Sequence, residues 1–191
     1  NPGDISPAAD VANARMLVAR FPTVVAAWIR LRAGQEPLAP RADLPLAANF
    51  LYMVTGKEPD PIAAKALDTY WVTVIDHGMN ASTFAGRVIA STRSDMVSAV
   101  TGAIGALKGP LHGGAPGPVL DMLHDIRTAG NCEPWVRARL AAGERIMGFG
   151  HRVYKVRDPR AEVLSKVAED MAGAHLEDRS LFELARACEQ T

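Results

Sequence analysis

The sequence has few cysteines and no net charge. Its two cysteines among 191 residues, Cys132 and Cys188, form no CxxC pair. They are too few for the disulfide framework of a small secreted domain, so we expect free thiols and a reducing compartment such as the cytoplasm. The 21 basic and 21 acidic side chains balance, which excludes a general electrostatic attraction to nucleic acid or to an anionic membrane.

A long apolar run is also missing. A membrane-spanning helix needs about 20 consecutive apolar residues, and the apolar stretch from Met96 to Leu107 is better explained as a buried helix. Residues 1–4 lack both a signal-peptide pattern and a starting methionine, so we expect a processed or truncated chain. The sequence therefore predicts no membrane partner.

Three common cofactor motifs are incomplete. Gly148-Phe149-Gly150 does not extend to GxGxxG because residue 153 is valine. Lys108 is followed by glycine, whereas a phosphate-binding loop needs serine or threonine there. The chain has no HExxH motif, and its five histidines and two cysteines lack the spacing of a metal site. We therefore expect neither a nucleotide-binding fold nor a metal or other permanently bound cofactor.

Helix signals, by contrast, are abundant. At Ser6-Pro7, Asp60-Pro61 and Asp158-Pro159 a capping side chain precedes a proline, which suits the first turn of a helix. Between residues 60 and 77, apolar side chains recur every three to four positions. The pattern predicts an all-α fold, with a short strand near residues 145–147 left open. Helices are expected at about 7–20, 22–33, 45–55, 60–77, 81–93, 95–107, 116–128, 134–142, 159–172 and 179–190.

Small residues are concentrated between Ser94 and Leu107. Gly102 and Gly105 would let another helix approach closely, at some cost in helix propensity. A tight helix interface explains this composition, and an ordinary buried helix explains the spacing nearly as well.

A first candidate site surrounds His112. The segment 109–116, GPLHGGAP, places this histidine in a glycine-rich turn between two predicted helices, where a ligand can approach the backbone closely. The helix expected to start near Pro116 disfavours an imidazolium here but lets a neutral ring donate a hydrogen bond to a developing enolate. From these residues alone, a turn histidine that only satisfies backbone groups is an equally good explanation.

A second candidate site surrounds His151. Five cationic side chains accompany it in an otherwise neutral chain: Arg145, Arg152, Lys155, Arg157 and Arg160. Glycines, loop position and clustered positive charge suit an anionic ligand, and Arg160 could hold a carboxylate in a two-point fork. The alternative is a solvated basic loop, which is the usual role of such a run.

A third cluster, residues 76–83, lies where one predicted helix ends and the next begins. Taken alone it is a capping arrangement, which favours a structural role for His77. His124 and His175 occur in amphipathic surroundings, and we interpret both as surface residues without a role.

Three segments together resemble the citrate synthase family in order, spacing and helix context. They are DHGMNASTFAGRVIASTRSD, AVTGAIGALKGPLHGGA and ERIMGFGHRVYKVRDPRA, which begin at residues 76, 99 and 144. A weaker resemblance in FPTVVAAWIRLRAG and AANFLYMVTGKEPDP extends the match over nearly the whole chain.

The resemblance implies a two-domain, all-helical subunit that forms a homodimer through packed helices corresponding to residues 81–93 and 95–107. Residues 1–112 would belong to a large helical domain and residues 113–191 to a small coenzyme A-binding domain, both incomplete. The family's catalytic aspartate and further substrate-binding arginines have no counterpart before Thr191. We therefore expect the 191-residue chain alone to be an inactive fragment.

The resemblance also implies an acyltransferase reaction of the tricarboxylic acid cycle, in which acetyl-coenzyme A and oxaloacetate give citrate and coenzyme A. His112 and His151 would be catalytic. His112 would donate to the thioester oxygen while an aspartate removes a methyl proton, and His151 would polarise and then protonate the ketone of oxaloacetate. Ser82 would orient His112.

Binding residues follow from the same resemblance. His77 and Arg160 would bind the oxo acid. Lys155 and the backbone around Gly148 and Gly150 would contact coenzyme A.

Two departures from the family pattern leave alternatives open. Gly78-Met79 stands where the family commonly has an acidic-apolar pair, and Pro116 stands where it has asparagine. One alternative is a 2-methylcitrate synthase that uses propionyl-coenzyme A, because one methylene changes discrimination by only about 1–3 kcal/mol. Another is a non-catalytic interaction or ligand-binding module of the same fold, against which the retained His112, His151 and Arg160 argue.

Overall fold

A computed structural model of the chain describes residues 6–114, 117–150, 156–174 and 176–191. These residues are mainly helical and include no strand, which confirms the predicted all-α fold. The helices are α1 (Pro7–Arg32), α2 (Leu46–Thr55), α3 (Pro61–Thr73), α4 (Ala81–Ser91), α5 (Met96–Leu107), α6 (Gly117–Ile126), α7 (Cys132–Ala141), α8 (Pro159–Ala174) and α9 (Leu176–Gln190), with a 3₁₀ turn at Ala129–Asn131.

One local expectation was wrong, and one possibility that the sequence left open, a strand at residues 145–147, is not realised. The sequence predicted a break near Pro22, but α1 continues through it. A proline inside a helix costs about 3 kcal/mol, and the second half of α1 offsets this cost by packing on α2, where Ala26 is only 1% exposed. Residues 145–147 form a loop and not a strand, and Ile146 packs against the core of the C-terminal part of the chain.

The chain divides into two compact units, Asn1–Ala106 and Leu107–Thr191. The domain boundary predicted from the sequence lies after His112, within the turn that follows α5. The identity of the two parts as a large helical domain and a small coenzyme A-binding domain stays a prediction.

The first unit has a core made mostly of alanine. Helix α2 packs against both α1 and α3, and small side chains let helices approach closely. Arg30 fastens this arrangement, because its Nε donates to the Glu36 carbonyl at 2.6 Å and its Nη1 to the Val54 carbonyl at 3.2 Å. The buried residues around α1–α3 are Ala26, Ala47, Ala48, Met53 and Ala66.

The second unit has a small core between α6, α7 and α9. Its buried members are Met122, Leu123, Ile126, Cys132, Leu184 and Cys188. Trp135, Ile146 and Leu181 pack against this cluster from its edges. The core therefore joins the helix that follows the His112 turn to the last helix of the chain.

Cys132 and Cys188 form a disulfide within this core. The expectation of free thiols was therefore wrong. The two Cα atoms lie 5.3 Å apart, within the usual range for a disulfide. The two cysteines are 56 residues apart in sequence, so local cysteine spacing could not predict that they pair. Because they are paired, the number of cysteines is no longer an argument for a reducing compartment.

The capping predictions are confirmed at Ser6 and Asp60. The Ala9 amide donates to Ser6 Oγ at 3.3 Å, and the Ile62 amide donates to Asp60 Oδ1 at 2.8 Å. None of the described helices is both long enough and apolar enough to cross a membrane.

Candidate active site

His112 lies in a tight turn that folds back on the end of α5. The His112 and Gly114 amides both donate to the Gly109 carbonyl, at 3.0 and 3.2 Å, and the Gly113 amide donates to the Leu107 carbonyl at 2.9 Å. These bonds satisfy backbone groups left open at a helix end. The turn therefore fixes the backbone of a half-buried histidine.

Glycine is required at position 113 because the turn passes so close to α5. A Cβ atom built there would lie 2.6 Å from the Leu107 carbonyl oxygen and 2.8 Å from Leu107 Cδ1. Neither distance is compatible with normal packing. Within the glycine-rich segment 109–116, close packing against Leu107 therefore explains why residue 113 is glycine.

Replacing Gly113 by alanine should destabilise the protein by about 1–3 kcal/mol, since the added methyl group must displace the turn or the end of α5. The measurement is the free energy of unfolding from urea denaturation followed by circular dichroism. Gly173→Ala is the matched control, because a Cβ there meets nothing within 4 Å and the residue lies within α8. This control should be neutral or stabilising by up to about 1 kcal/mol. Equal effects of both variants would contradict the steric explanation.

A second glycine turn contains Gly148 and Gly150, the predicted coenzyme A contacts. Both have positive φ, 87° and 79°, a conformation that glycine adopts without steric cost. A Cβ at Gly148 would lie 3.2 Å from Val119 Cγ2, so this turn packs against α6. Two further predicted site residues, His151 and Lys155, lie outside the described residues.

An open cleft of about 420 Å³ lies within the second unit. The sequence did not predict it, although Arg145, one of its lining residues, belongs to the cationic group around His151. Trp135 Nε1 donates to Asp125 Oδ2 at 2.7 Å, and the Arg139 guanidinium lies 4.8 Å from the centre of the Trp135 ring. Glu144 accepts from Arg139 at 2.6 Å and raises the pKa of that guanidinium. The lining residues are Pro118, Asp121, Met122, Asp125, Trp135, Arg139, Glu144, Arg145 and Met147.

Arg160, the predicted carboxylate ligand, is held by Asp158. Its Nε donates to both carboxylate oxygens of Asp158, at 2.9 and 3.0 Å, and its Nη2 donates to Oδ2 at 2.5 Å. The Arg160 amide also donates to Asp158 Oδ1 at 2.9 Å. The two side chains are 22% and 27% exposed. Asp158 therefore orients Arg160 as well as opening α8, a role that its proline-capping pattern alone did not reveal.

His77 belongs to the first unit and is exposed in the loop between α3 and α4. Around it, Asp76 Oδ1 accepts from the Gly78 amide at 2.9 Å. Asn80 Oδ1 accepts from the Thr83 amide at 2.9 Å and from Ser82 Oγ at 2.7 Å. Asn80 is thus the cap of α4 and the partner of Ser82, whereas the orientation of His112 by Ser82 stays a prediction.

The second unit carries His112, Gly148, Gly150 and Arg160, and the first carries His77. Their joint role in one site stays a prediction. Among the described residues, no group of three or more histidine, cysteine, aspartate and glutamate side chains is placed to hold a metal ion.

Comparison with known proteins gives a family match over almost the whole chain. A family model described as "Citrate synthase, C-terminal domain" matches residues 3–191.

Two curated relatives are similar over most of the chain. The chain is 47% identical over 175 residues to a citrate synthase of Acidithiobacillus ferridurans, covering 91% of this chain and 45% of the relative. It is 46% identical over 169 residues to a 2-methylcitrate synthase of Mycobacterium tuberculosis, covering 88% and 43%. The chain therefore spans about half the length of these relatives.

A solved structure shares the fold. The citrate synthase of Thermoplasma acidophilum, described as a ternary complex with carboxymethyl coenzyme A and oxaloacetate, aligns with a TM-score of 0.90 and 33% identity. The alignment covers 97% of this chain and 49% of that one.

Proposed function

This chain belongs to the citrate synthase family, and from that membership we propose that its parent protein joins acetyl-coenzyme A to oxaloacetate and releases citrate and coenzyme A. The parent protein is the complete product of the reading frame that encodes residues 1–191. The observation that carries the proposal is the His112 turn, which fixes a half-buried histidine within a backbone hydrogen-bond network.

His112 acts on the acyl donor. A neutral imidazole N–H donates a hydrogen bond to the thioester oxygen while a carboxylate base removes a proton from the methyl group. The donor offsets the negative charge that develops on the oxygen, and this charge stabilisation lowers the barrier to enol formation. The backbone hydrogen bonds of the turn hold the main chain of His112 in place, which limits the reorganisation needed to bring its ring to the thioester.

His151 acts on the acceptor. The enol carbon forms a bond to the ketone carbon of oxaloacetate, and the ketone oxygen takes a proton from His151. Water then cleaves the thioester, which releases the coenzyme A thiol and the new carboxylate.

Arg160 binds oxaloacetate together with His77. A guanidinium suits a carboxylate because its planar fork makes two parallel hydrogen bonds. Asp158 supports this role because its hydrogen bonds to Nε and Nη2 fix the plane of the guanidinium before the ligand arrives.

Replacing Arg160 by lysine in the parent protein should raise KM for oxaloacetate roughly 10–100-fold, since a lysine cannot make the paired hydrogen bonds of the fork. Steady-state kinetics at saturating acetyl-coenzyme A measure this effect. Arg137→Lys is the matched control and should leave KM unchanged, because Arg137 is 75% exposed and pairs along its own helix with Glu133. An unchanged KM for oxaloacetate in the Arg160 variant would contradict the carboxylate assignment.

Coenzyme A binds at the turn of Gly148 and Gly150 with the help of Lys155. Both residues adopt positive φ, which glycine does without steric cost, and neither has a Cβ to cover its backbone groups. The open cleft beside Arg145 and Met147, which lie just before the turn in sequence, offers additional contacts for part of this large ligand.

A second copy of the chain packs on α4 and α5. These helices approach each other closely, because a Cβ at Gly86 would lie 3.4 Å from the Ala99 carbonyl oxygen and one at Gly102 would overlap Ile89. Several of their apolar side chains remain exposed, among them Phe84 at 62% and Ile104 at 43%. Apolar exposure on this scale suits a homodimer interface.

The proposed reaction is tested by oxaloacetate-dependent release of thiol from acetyl-coenzyme A by the parent protein. The same assay with propionyl-coenzyme A decides between citrate and 2-methylcitrate, since identities of 47% and 46% to one synthase of each kind do not separate them. A larger kcat/KM for the propionyl substrate would favour 2-methylcitrate. Absence of thiol release with either substrate would favour the non-catalytic module.

A further inference from the structure

Both cysteines of the chain are used in one bond at the centre of the second unit. Cys132 and Cys188 are 1% and 3% exposed. Among the residues that the structure describes, they supply two of the six buried members of that core, and the other four are Met122, Leu123, Ile126 and Leu184. A core of this size gains little stability from apolar burial. Its stability therefore depends strongly on the covalent link.

The disulfide ties α9 to the beginning of α7. Helix α9 also packs on α8, on α6 and on the 3₁₀ turn. Immediately after Cys188, Glu189 Oε1 accepts from Arg157 Nη2 at 2.7 Å. Arg157 directly precedes the Asp158–Arg160 pair. The last turn of α9 is thus connected both to the core and to the segment that leads into the candidate carboxylate site.

We propose that the Cys132–Cys188 disulfide is a redox-sensitive lock, which holds α9 on the second unit and thereby orders the segment from Val156 to Arg160. In the oxidised protein the lock keeps Glu189 beside Arg157. In the reduced protein α9 opens more often and this contact is lost with it. The effect of the disulfide on α9 and on residues 156–160 does not depend on the proposed reaction. Only the further consequence, that ordering Arg160 favours oxaloacetate binding, rests on the proposed function.

The chemical step is a thiol–disulfide exchange with a dithiol reductant. One thiolate of the reductant attacks a sulfur of the disulfide and forms a mixed disulfide, which the second thiol of the reductant then resolves. Two electrons and two protons pass to Cys132 and Cys188, which become thiols, while the reductant becomes a disulfide. Because both sulfurs are buried, the exchange follows an opening of α9.

The covalent link should have a large effect because it closes a long loop. It connects residues 56 positions apart, and the entropy removed from the opened chain grows with loop length. The ion pair should contribute much less, since Arg157 and Glu189 are 60% and 48% exposed. The disulfide therefore holds α9 in place, and the Arg157–Glu189 ion pair only couples the position of α9 to residues 156–160.

Hydrogen exchange measured by mass spectrometry tests the lock in the parent protein. The oxidised protein is compared with protein reduced by dithiothreitol, and differential alkylation of Cys132 and Cys188 establishes the redox state of each sample. Reduction should increase amide exchange in α9 by roughly 10²-fold. It should also accelerate exchange at residues 156–162, while α1–α3 should be unaffected.

Two variants separate the parts of the proposal. In the double variant C132A/C188A, dithiothreitol should not change hydrogen exchange, because there is no disulfide to reduce. If this variant fails to fold, the comparison of oxidised with reduced wild-type protein still tests the lock without altering a side chain. Glu189→Gln in the oxidised protein should accelerate exchange at residues 156–162 a few-fold and leave the rest of α9 protected. Unchanged exchange in α9 after verified reduction would overturn the lock. Unchanged exchange at 156–162 in Glu189→Gln would overturn its transmission.

Discussion

Replacing His112 by alanine in the parent protein should lower kcat for citrate formation by about 10²–10⁴-fold and leave the helical content unchanged. The side chain removed is the proposed donor to the thioester oxygen. The backbone bonds that hold its turn join Leu107, Gly109 and Gly113 and persist when the side chain is removed. Loss of the ring should therefore cost far more in catalysis than in folding.

His124→Ala is the matched control, because His124 is an exposed histidine on α6 in the same unit. Its kcat should stay within about twofold of wild type, as expected for a surface residue without a role. Thiol release and far-ultraviolet circular dichroism are measured for both variants. Near-normal turnover in His112→Ala would reject the role assigned to this histidine. His151→Ala should lose turnover on the same scale.

The chain of residues 1–191, produced separately, should release thiol at no more than the background rate in the presence of acetyl-coenzyme A and oxaloacetate. Proton removal beside a thioester needs a positioned carboxylate, and by resemblance no carboxylate of this chain occupies the position of the family's catalytic aspartate. A general base typically contributes about 10²–10⁴-fold, and the loss of substrate-orienting arginines should add to the deficit.

The parent protein serves as the positive control in this assay. Circular dichroism of the separate chain checks that the helices have formed, so that inactivity is not confused with unfolding. Robust thiol release by the separate chain, dependent on oxaloacetate, would show that a local carboxylate acts as the base. The transfer of the family mechanism to this chain would then be wrong.

The sequence predicted features that depend on near neighbours. Ser6 and Asp60 cap the helices that begin one residue later, because a capping side chain reaches amides only two or three residues away. The glycine-rich turn at His112 was also predictable, since its hydrogen bonds join residues at most six positions apart. Contacts between residues this close in sequence produce short residue patterns, from which caps and turns can be predicted.

Features that depend on packing were missed or mistaken. Pro22 is a helix breaker by local rules, yet α1 passes through it where its second half is buried on α2. Trp135 and Asp125 form a hydrogen bond across ten positions on two different helices. The sequence analysis named neither residue, because only the folded chain brings the two helices together.

The sequence by itself determined the all-α fold, the helix caps and the glycine turns, because propensity, capping and φ preferences act within a few residues of the chain. Only the tertiary structure decided that Cys132 meets Cys188 across 56 residues and that Arg157 meets Glu189 across 32 residues. The disulfide follows from the packing of α9 against α7. The second contact follows from the packing of α9 against α8, which Arg157 precedes in sequence. Neither outcome is encoded in a local pattern, since each depends on where the rest of the chain lies.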